Sequence, residues 1–84
     1  MSVSTILANV QGDNAQDYSI SKIKGFTFIS TPSHGYLVLG SDDNGYSDAL
    51  AIARRSNYSY VSDTLAFLEE DCDATEFLKL GLEN

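Results

Sequence analysis

Two runs of aromatic and β-branched residues flank a segment of turn chemistry, and this pattern constrains the chain more than any other. Phe26-Thr27-Phe28-Ile29-Ser30 and Tyr36-Leu37-Val38-Leu39 are built from residues that suit a pleated, half-buried surface. Between them stands Thr31-Pro32-Ser33-His34-Gly35, where Pro32 presets φ and Gly35 permits positive φ. Residues 25–40 therefore predict a β-hairpin. A polar loop follows from Gly40 to Gly45.

A helix is predicted next. Ser47 can cap it, and Asp48 suits its first turn. Ala49, Leu50, Ile52 and Ala53 form an apolar stripe at helical spacing. Arg54 and Arg55 suit the negative end of the dipole, and Asn57 can end the helix in left-handed geometry. Tyr58-Ser59-Tyr60-Val61 and Thr64-Leu65-Ala66-Phe67-Leu68 then predict a second hairpin around Ser62-Asp63. Asp73 with Glu76 has the spacing of a capping box, and Ala74, Phe77, Leu78 and Leu82 line one face of a last helix.

From Gly25 onward the order is ββαββα. It predicts an α+β fold, an antiparallel sheet with helices on one face. The first two dozen residues are less patterned. Ser4 to Val10 has enough apolar residues for a short helix or strand, residues 11–17 read as a polar loop, and residues 18–24 as irregular or edge-strand structure. Residues 1–84 are expected to form one domain, with 25–84 as its core and 1–24 as a weakly defined N-terminal segment. A chain of this size buries only roughly 60–65% of the surface it exposes when unfolded, which leaves little room for a deep catalytic cavity.

Charge narrows the function. Five Lys and Arg face twelve Asp and Glu, for a net charge of −7. Such a chain is repelled by phosphate backbones and anionic membranes. The basic residues Lys22, Lys24, Arg54, Arg55 and Lys79 make no basic patch in the sequence. No direct nucleic-acid or membrane binding is expected, whereas an acidic surface can occupy a basic groove on another protein. The single Cys72 precludes an internal disulfide and suits a reducing cytosol. No apolar stretch approaches the ~20 residues of a membrane helix, and the N-terminal residues lack the pattern of a signal peptide. A cytoplasmic location is the expectation.

Three segments carry a resemblance. Thr31-Pro32-Ser33-His34-Gly35-Tyr36-Leu37, Tyr58-Ser59-Tyr60, and Leu68-Glu69-Glu70-Asp71-Cys72-Asp73-Ala74 with Phe77 follow in this order. Together they resemble a group of small proteins carried by phages, plasmids and other mobile elements. The resemblance covers about residues 26–78, and the acidic loop over residues 41–46 departs from the apolar linker of that group. It implies an accessory protein of a mobile genetic element, at work in a bacterial cytosol. An anti-CRISPR-type inhibitor is the sharpest form of that expectation.

Few constellations could carry chemistry. Glu69-Glu70-Asp71-Cys72-Asp73 is the densest acidic cluster. Carboxylates at a helix N-terminus account for Asp71, Asp73 and Glu76 and leave Glu69 and Glu70 in excess, as an anionic edge for Lys and Arg of a partner. The loop Gly40-Ser41-Asp42-Asp43-Asn44-Gly45 fails as an EF-hand. Aligning Gly45 with the loop glycine puts Gly40 and Ala51 where acids are required. His34 and Cys72 form the only pair suggestive of nucleophilic catalysis, but the carboxylates around Cys72 disfavour a thiolate. One Cys and one His do not make a zinc site. No P-loop or GxGxxG is present. The chain is expected to be neither an enzyme nor a holder of metal or cofactor.

Phe26, Phe28, Phe67 and Phe77 are most economically core. The five tyrosines, Tyr18, Tyr36, Tyr46, Tyr58 and Tyr60, are open to two readings. Alternation sets Tyr58 and Tyr60 opposite Val61. If Val61 faces the helices, both rings lie on the open face, either as interface residues or as a cover over the core.

The leading expectation is a binding inhibitor that presents carboxylates, as a nucleic-acid mimic, to the basic surface of a host nucleic-acid-handling complex. A CRISPR effector subunit is the sharpest candidate. The contact residues would be Asp42, Asp43, Tyr46, Tyr58, Tyr60, Glu69, Glu70, Asp71 and Asp73. The alternative is a structural or assembly module that forms a homo-oligomer or joins a phage or plasmid complex.

Overall fold

A computed structural model of the chain describes residues 1–10 and 17–84. It contains α1 (Val3–Asn9), β1 (Ser19–Ile23), β2 (Phe26–Ser30), β3 (Gly35–Leu39), α2 (Tyr46–Arg55), β4 (Tyr60–Ser62), β5 (Leu65–Glu69) and α3 (Asp73–Leu78). The strands form one antiparallel sheet in the order β1-β2-β3-β5-β4. The fold is α+β, and its ββαββα portion follows the sequence pattern from Gly25. The polar loop expected over residues 11–17 lies, apart from Asp17, outside the described residues.

Turn chemistry sets the register. Lys24 and Gly25 both have positive φ, 53° and 85°, and join Ile23 to its partner Phe26 in a two-residue loop. Two left-handed residues match the right-handed twist of the strands they connect. This makes residues 19–23 a true edge strand. The next loop closes between Ser30 and Gly35, with the Thr31 amide donating to the His34 carbonyl at 2.8 Å. The second hairpin turns one residue later than expected. Ser62 pairs with Leu65, and Asp63 takes the left-handed position.

Each face of the sheet has its own core. On one, Phe26, Leu37, Leu39, Ala66 and Leu68 meet Ala49, Ile52 and Ala53 of α2 and Ala74 and Phe77 of α3. The alanines let helix and sheet approach closely. Phe26 and Phe77 meet edge to face, with centroids 5.1 Å apart. On the other face, Ile29, Tyr36, Val38, Leu65 and Phe67 pack with Ile6 of α1. α1 starts from Ser2, whose side chain accepts from the Thr5 amide. Both helices of the core thus share one face as expected, and the N-terminal segment adds a helix on the reverse. This explains why all five residues of β3 are buried.

Three helix-end expectations are corrected. Ser47 is not the cap of α2. The N-cap is Gly45, at φ 79°, and Tyr46 begins the helix. Asn57 does not stop the helix in left-handed geometry. The chain leaves through Ser56 in extended conformation (ψ 150°). Asp73 and Glu76 form no capping box, because Cys72 holds the N-cap position without a side-chain cap bond. Asp73 bonds Ser56 and Ser59 instead, and Glu76 pairs with Arg55. At α3, tertiary partners claim the two side chains that local spacing assigned to the helix end.

Candidate partner-binding site

The antiparallel register decides which acidic residues can act together. Tyr36 pairs with Glu69 at one end of the β3–β5 ladder, and Leu39 with Ala66 toward the other. β3 runs from the first end into the loop that holds Asp42 and Asp43. β5 runs the opposite way into Glu69, Glu70 and Asp71. The two acidic groups therefore lie at opposite ends of strands roughly 17 Å long. They do not form one continuous patch along these strands.

At the loop end, most of the polar groups are occupied within the molecule. Asp43 accepts from the Gly40 amide at 2.7 Å and from Asn84 Nδ2 at 2.6 Å. Asn84 also accepts from the Asn44 amide at 2.9 Å and donates its own amide to the Lys24 carbonyl at 2.9 Å. Asp43 thus belongs to a tie between the acidic loop and the β1–β2 turn. Tyr46 is held too, since its hydroxyl donates to the Thr64 carbonyl. Asp42 is exposed beside a shallow cavity of about 210 Å³ that also touches Met1, Thr5 and Leu65.

Asp73 and Tyr60 also have structural posts. Asp73 accepts from the hydroxyls of both Ser56 and Ser59. Ser59, only 7% exposed, accepts in turn from the Glu69 amide at 2.9 Å. This network fastens the end of α2, the segment before β4, the end of β5 and the start of α3. Val61 does face the α2–α3 side. Tyr60 does not lie on an open face, however. It stacks on Phe67 at 4.8 Å and meets Tyr36 edge to face at 5.5 Å, within the core that α1 joins.

The remaining four expected residues, Tyr58, Glu69, Glu70 and Asp71, come together. They line one cleft of about 410 Å³ with His34, Tyr36, Ser33 and Cys72. The β2–β3 turn supplies His34, β3 supplies Tyr36, and the end of β5 supplies the carboxylates. Tyr58 is 67% exposed, whereas Tyr36 is 5% exposed. The His34 ring lies 5.9 Å from that of Tyr36. Glu69 accepts from the Asp71 amide at 3.1 Å, which shapes the acidic rim. Glu70 is anchored through its amide to the Gly35 carbonyl at 3.0 Å. A Cβ on Gly35 would stand 2.6 Å from Phe28 Cζ and 2.7 Å from Glu70 Oε2, so any larger residue would have to push these side chains aside.

Burial, and secondarily the Glu69 carboxylate, raise the Tyr36 phenol above its ordinary pKa of 10.0. Tyr36 therefore remains a neutral hydroxyl throughout the physiological range. Sequence reasoning did not select Tyr36, His34 or Ser33 for this site. Only strand register brings them beside residues 69–71. His34 and Cys72 border the same cleft although the sequence separates them by 38 positions. The His34 backbone, through its N–H and C=O, bonds Thr31. Cys72 is a free, exposed thiol. Among the described residues, no group of three or more His, Cys, Asp and Glu could hold a metal ion, and no helix is long and apolar enough to cross a membrane. Comparison of the chain with protein-family models, curated proteins and solved structures returned no match.

Proposed function

We propose that this protein is a binding inhibitor whose cleft end docks on a cationic surface of a host nucleic-acid-handling protein. The observation that carries this reading is the convergence of Glu69, Glu70 and Asp71 with the exposed Tyr58 around one concave site. Carboxylates beside exposed aromatic rings suit a contact in which charge steers encounter and rings add short-range affinity. The net charge of −7 sets the sign of the partner and opposes direct contact with nucleic acid or an anionic membrane. The mobile-element resemblance supplies the context, with a CRISPR effector subunit as the sharpest form of the partner. The carboxylates would compete for the Lys and Arg that hold phosphates. The exposed thiol of Cys72 agrees with a reducing bacterial cytosol as the place of action.

The reading is narrower than the sequence expectation. It rests on the cleft end, and it leaves Asp43, Tyr46, Tyr60 and Asp73 to the fold. An assembly module would use a free sheet edge. The edges are β1 and β4. β4 has only three residues, and β1 exposes Ser19, Ser21 and Lys22. Short strands and edge lysines discourage edge-to-edge pairing, which favours the inhibitor reading.

The test is capture from bacterial lysate on the immobilised protein. A basic nucleic-acid-binding complex should be retained, released by added DNA and weakened by salt. The triple reversal Glu69→Lys, Glu70→Lys, Asp71→Lys should weaken retention at least about tenfold, and Asp42→Lys should change it little. Retention indifferent to the triple reversal in a folded variant would refute the proposal. A homo-oligomer in light scattering, with no host protein retained, would favour assembly.

A further inference from the structure

We infer that the cleft is a receptor for a single arginine side chain of the bound partner, and that Tyr36 is the residue that makes it selective for arginine over lysine. This rests on the binding-inhibitor reading and specifies what the cleft recognises.

Tyr36 borders the cleft. Its side chain is 95% covered, yet among the described residues its hydroxyl has no hydrogen-bond partner. Among the described residues, every fully buried side-chain N and O atom has a partner. The hydroxyl is therefore the part of Tyr36 that reaches open space, and the space bordering this residue is the cleft. A hydroxyl that borders a cleft without an internal partner can bond a ligand in place of water.

The surrounding groups define that ligand. Glu69 lies directly across the ladder from Tyr36, and Glu70 and Asp71 stand at the rim. These carboxylates select a cation. The rings of Tyr58 and His34 border the same space and offer faces for a planar group. A guanidinium satisfies both demands. Its fork of N–H donors can bond a carboxylate and the Tyr36 oxygen together, and its plane can lie on an aromatic face. An ammonium is a compact, strongly hydrated charge that uses the carboxylates and gains little from the rings. A volume of about 410 Å³ accommodates one long side chain with some water. Nucleotides and other anions are excluded by sign.

The probes are N-acetyl-arginine amide and N-acetyl-lysine amide, titrated into the protein and followed by NMR at the tyrosine rings and the amides of residues 69–71. The arginine compound should bind about fivefold more tightly than the lysine compound, with shifts confined to the cleft. Tyr36→Phe keeps the ring and the core, and should reduce this preference to about twofold or less, because one hydrogen bond is lost. Equal binding of the two compounds, or a preference unchanged in a folded Tyr36→Phe variant, would overturn the inference. So would equal shifts around Asp42. Any of these results would leave the capture experiment to stand or fall separately, because that experiment depends on the carboxylates and not on the Tyr36 hydroxyl.

Discussion

Asp73 holds Ser59 through a hydrogen bond from the serine hydroxyl, and this contact ties the start of α3 to the segment before β4. Ser59 accepts the Glu69 amide at 2.9 Å. The acidic end of β5 is thus fixed by a carboxylate that the sequence groups with it but the fold sets to a different task.

Ser59→Ala should therefore be among the costly polar substitutions in this protein. It strips the Glu69 amide of its acceptor and takes one donor from Asp73 in a largely buried place. A loss of about 2 kcal/mol is expected in urea denaturation, and Asp73→Ala should cost at least as much. Asp42→Ala, on an exposed carboxylate, should stay within about 0.5 kcal/mol. Equal costs at Asp42 and Asp73 would contradict the division between structural and available carboxylates.

The two tyrosines that alternation puts on one face should behave very differently. Tyr60 stacks on Phe67 and abuts Tyr36, so Tyr60→Ala opens a void in the core beneath α1. The expected loss is about 2–4 kcal/mol. Tyr58→Ala removes a ring that is 67% exposed and should cost less than about 0.5 kcal/mol. Thermal or urea unfolding of both variants measures the difference. Only Tyr58→Ala is then a clean test of binding.

These contrasts show how far the sequence could be read. The strands from Phe26 onward, the stripe of α2 and the burial of Phe26 and Phe77 between sheet and helices follow from period and turn chemistry, which act locally. The second core does not. α1 is one short helix, and its burial of Ile6 depends on a sheet face that forms from distant strands. The Lys24-Gly25 turn was not legible, because lysine seldom takes the left-handed position that Lys24 holds, and the three-residue spacing of Ile20 and Ile23 obscured the strand before it. The cleft was half legible. Glu69, Glu70, Asp71 and Tyr58 stand out by charge and composition, while Tyr36 and His34 enter only through the register of β3 against β5. Antiparallel pairing also separates Asp42 from Glu69, which no property of either segment alone reveals.

Gly25→Ala should be destabilising for two separable reasons. The residue has φ of 85°, where a side chain is strained. An added Cβ would also stand 2.3 Å from the backbone oxygen of Asn84. Backbone cannot yield as a flexible side chain can, so the cost should exceed the ~1 kcal/mol of left-handed strain alone and reach about 2 kcal/mol or more. Hydrogen exchange should show the loss spreading from the β1–β2 turn to Asn44 and Asp43, which share the Asn84 tie. Exchange confined to the turn would mean that the tie is weak.

Alkaline pH should expose Tyr36 directly. The folded protein favours its neutral phenol, chiefly because the ring is buried and secondarily because Glu69 repels a phenolate, whereas the unfolded chain ionises this residue near 10.0. Between these two values the unfolded state has lost a proton that the folded state keeps. Stability that is fully present below about pH 10 is therefore lost as pH rises toward and through the folded value. Tyr36→Phe has no proton to lose and should show a shallower decline in unfolding free energy from about pH 9 to about pH 11. Glu69→Gln removes only the smaller cause, so its decline should remain close to that of the parent protein. If Tyr36→Phe and the parent decline in parallel, the phenol is not buried as the structure has it, and the role of its hydroxyl beside the cleft goes with it.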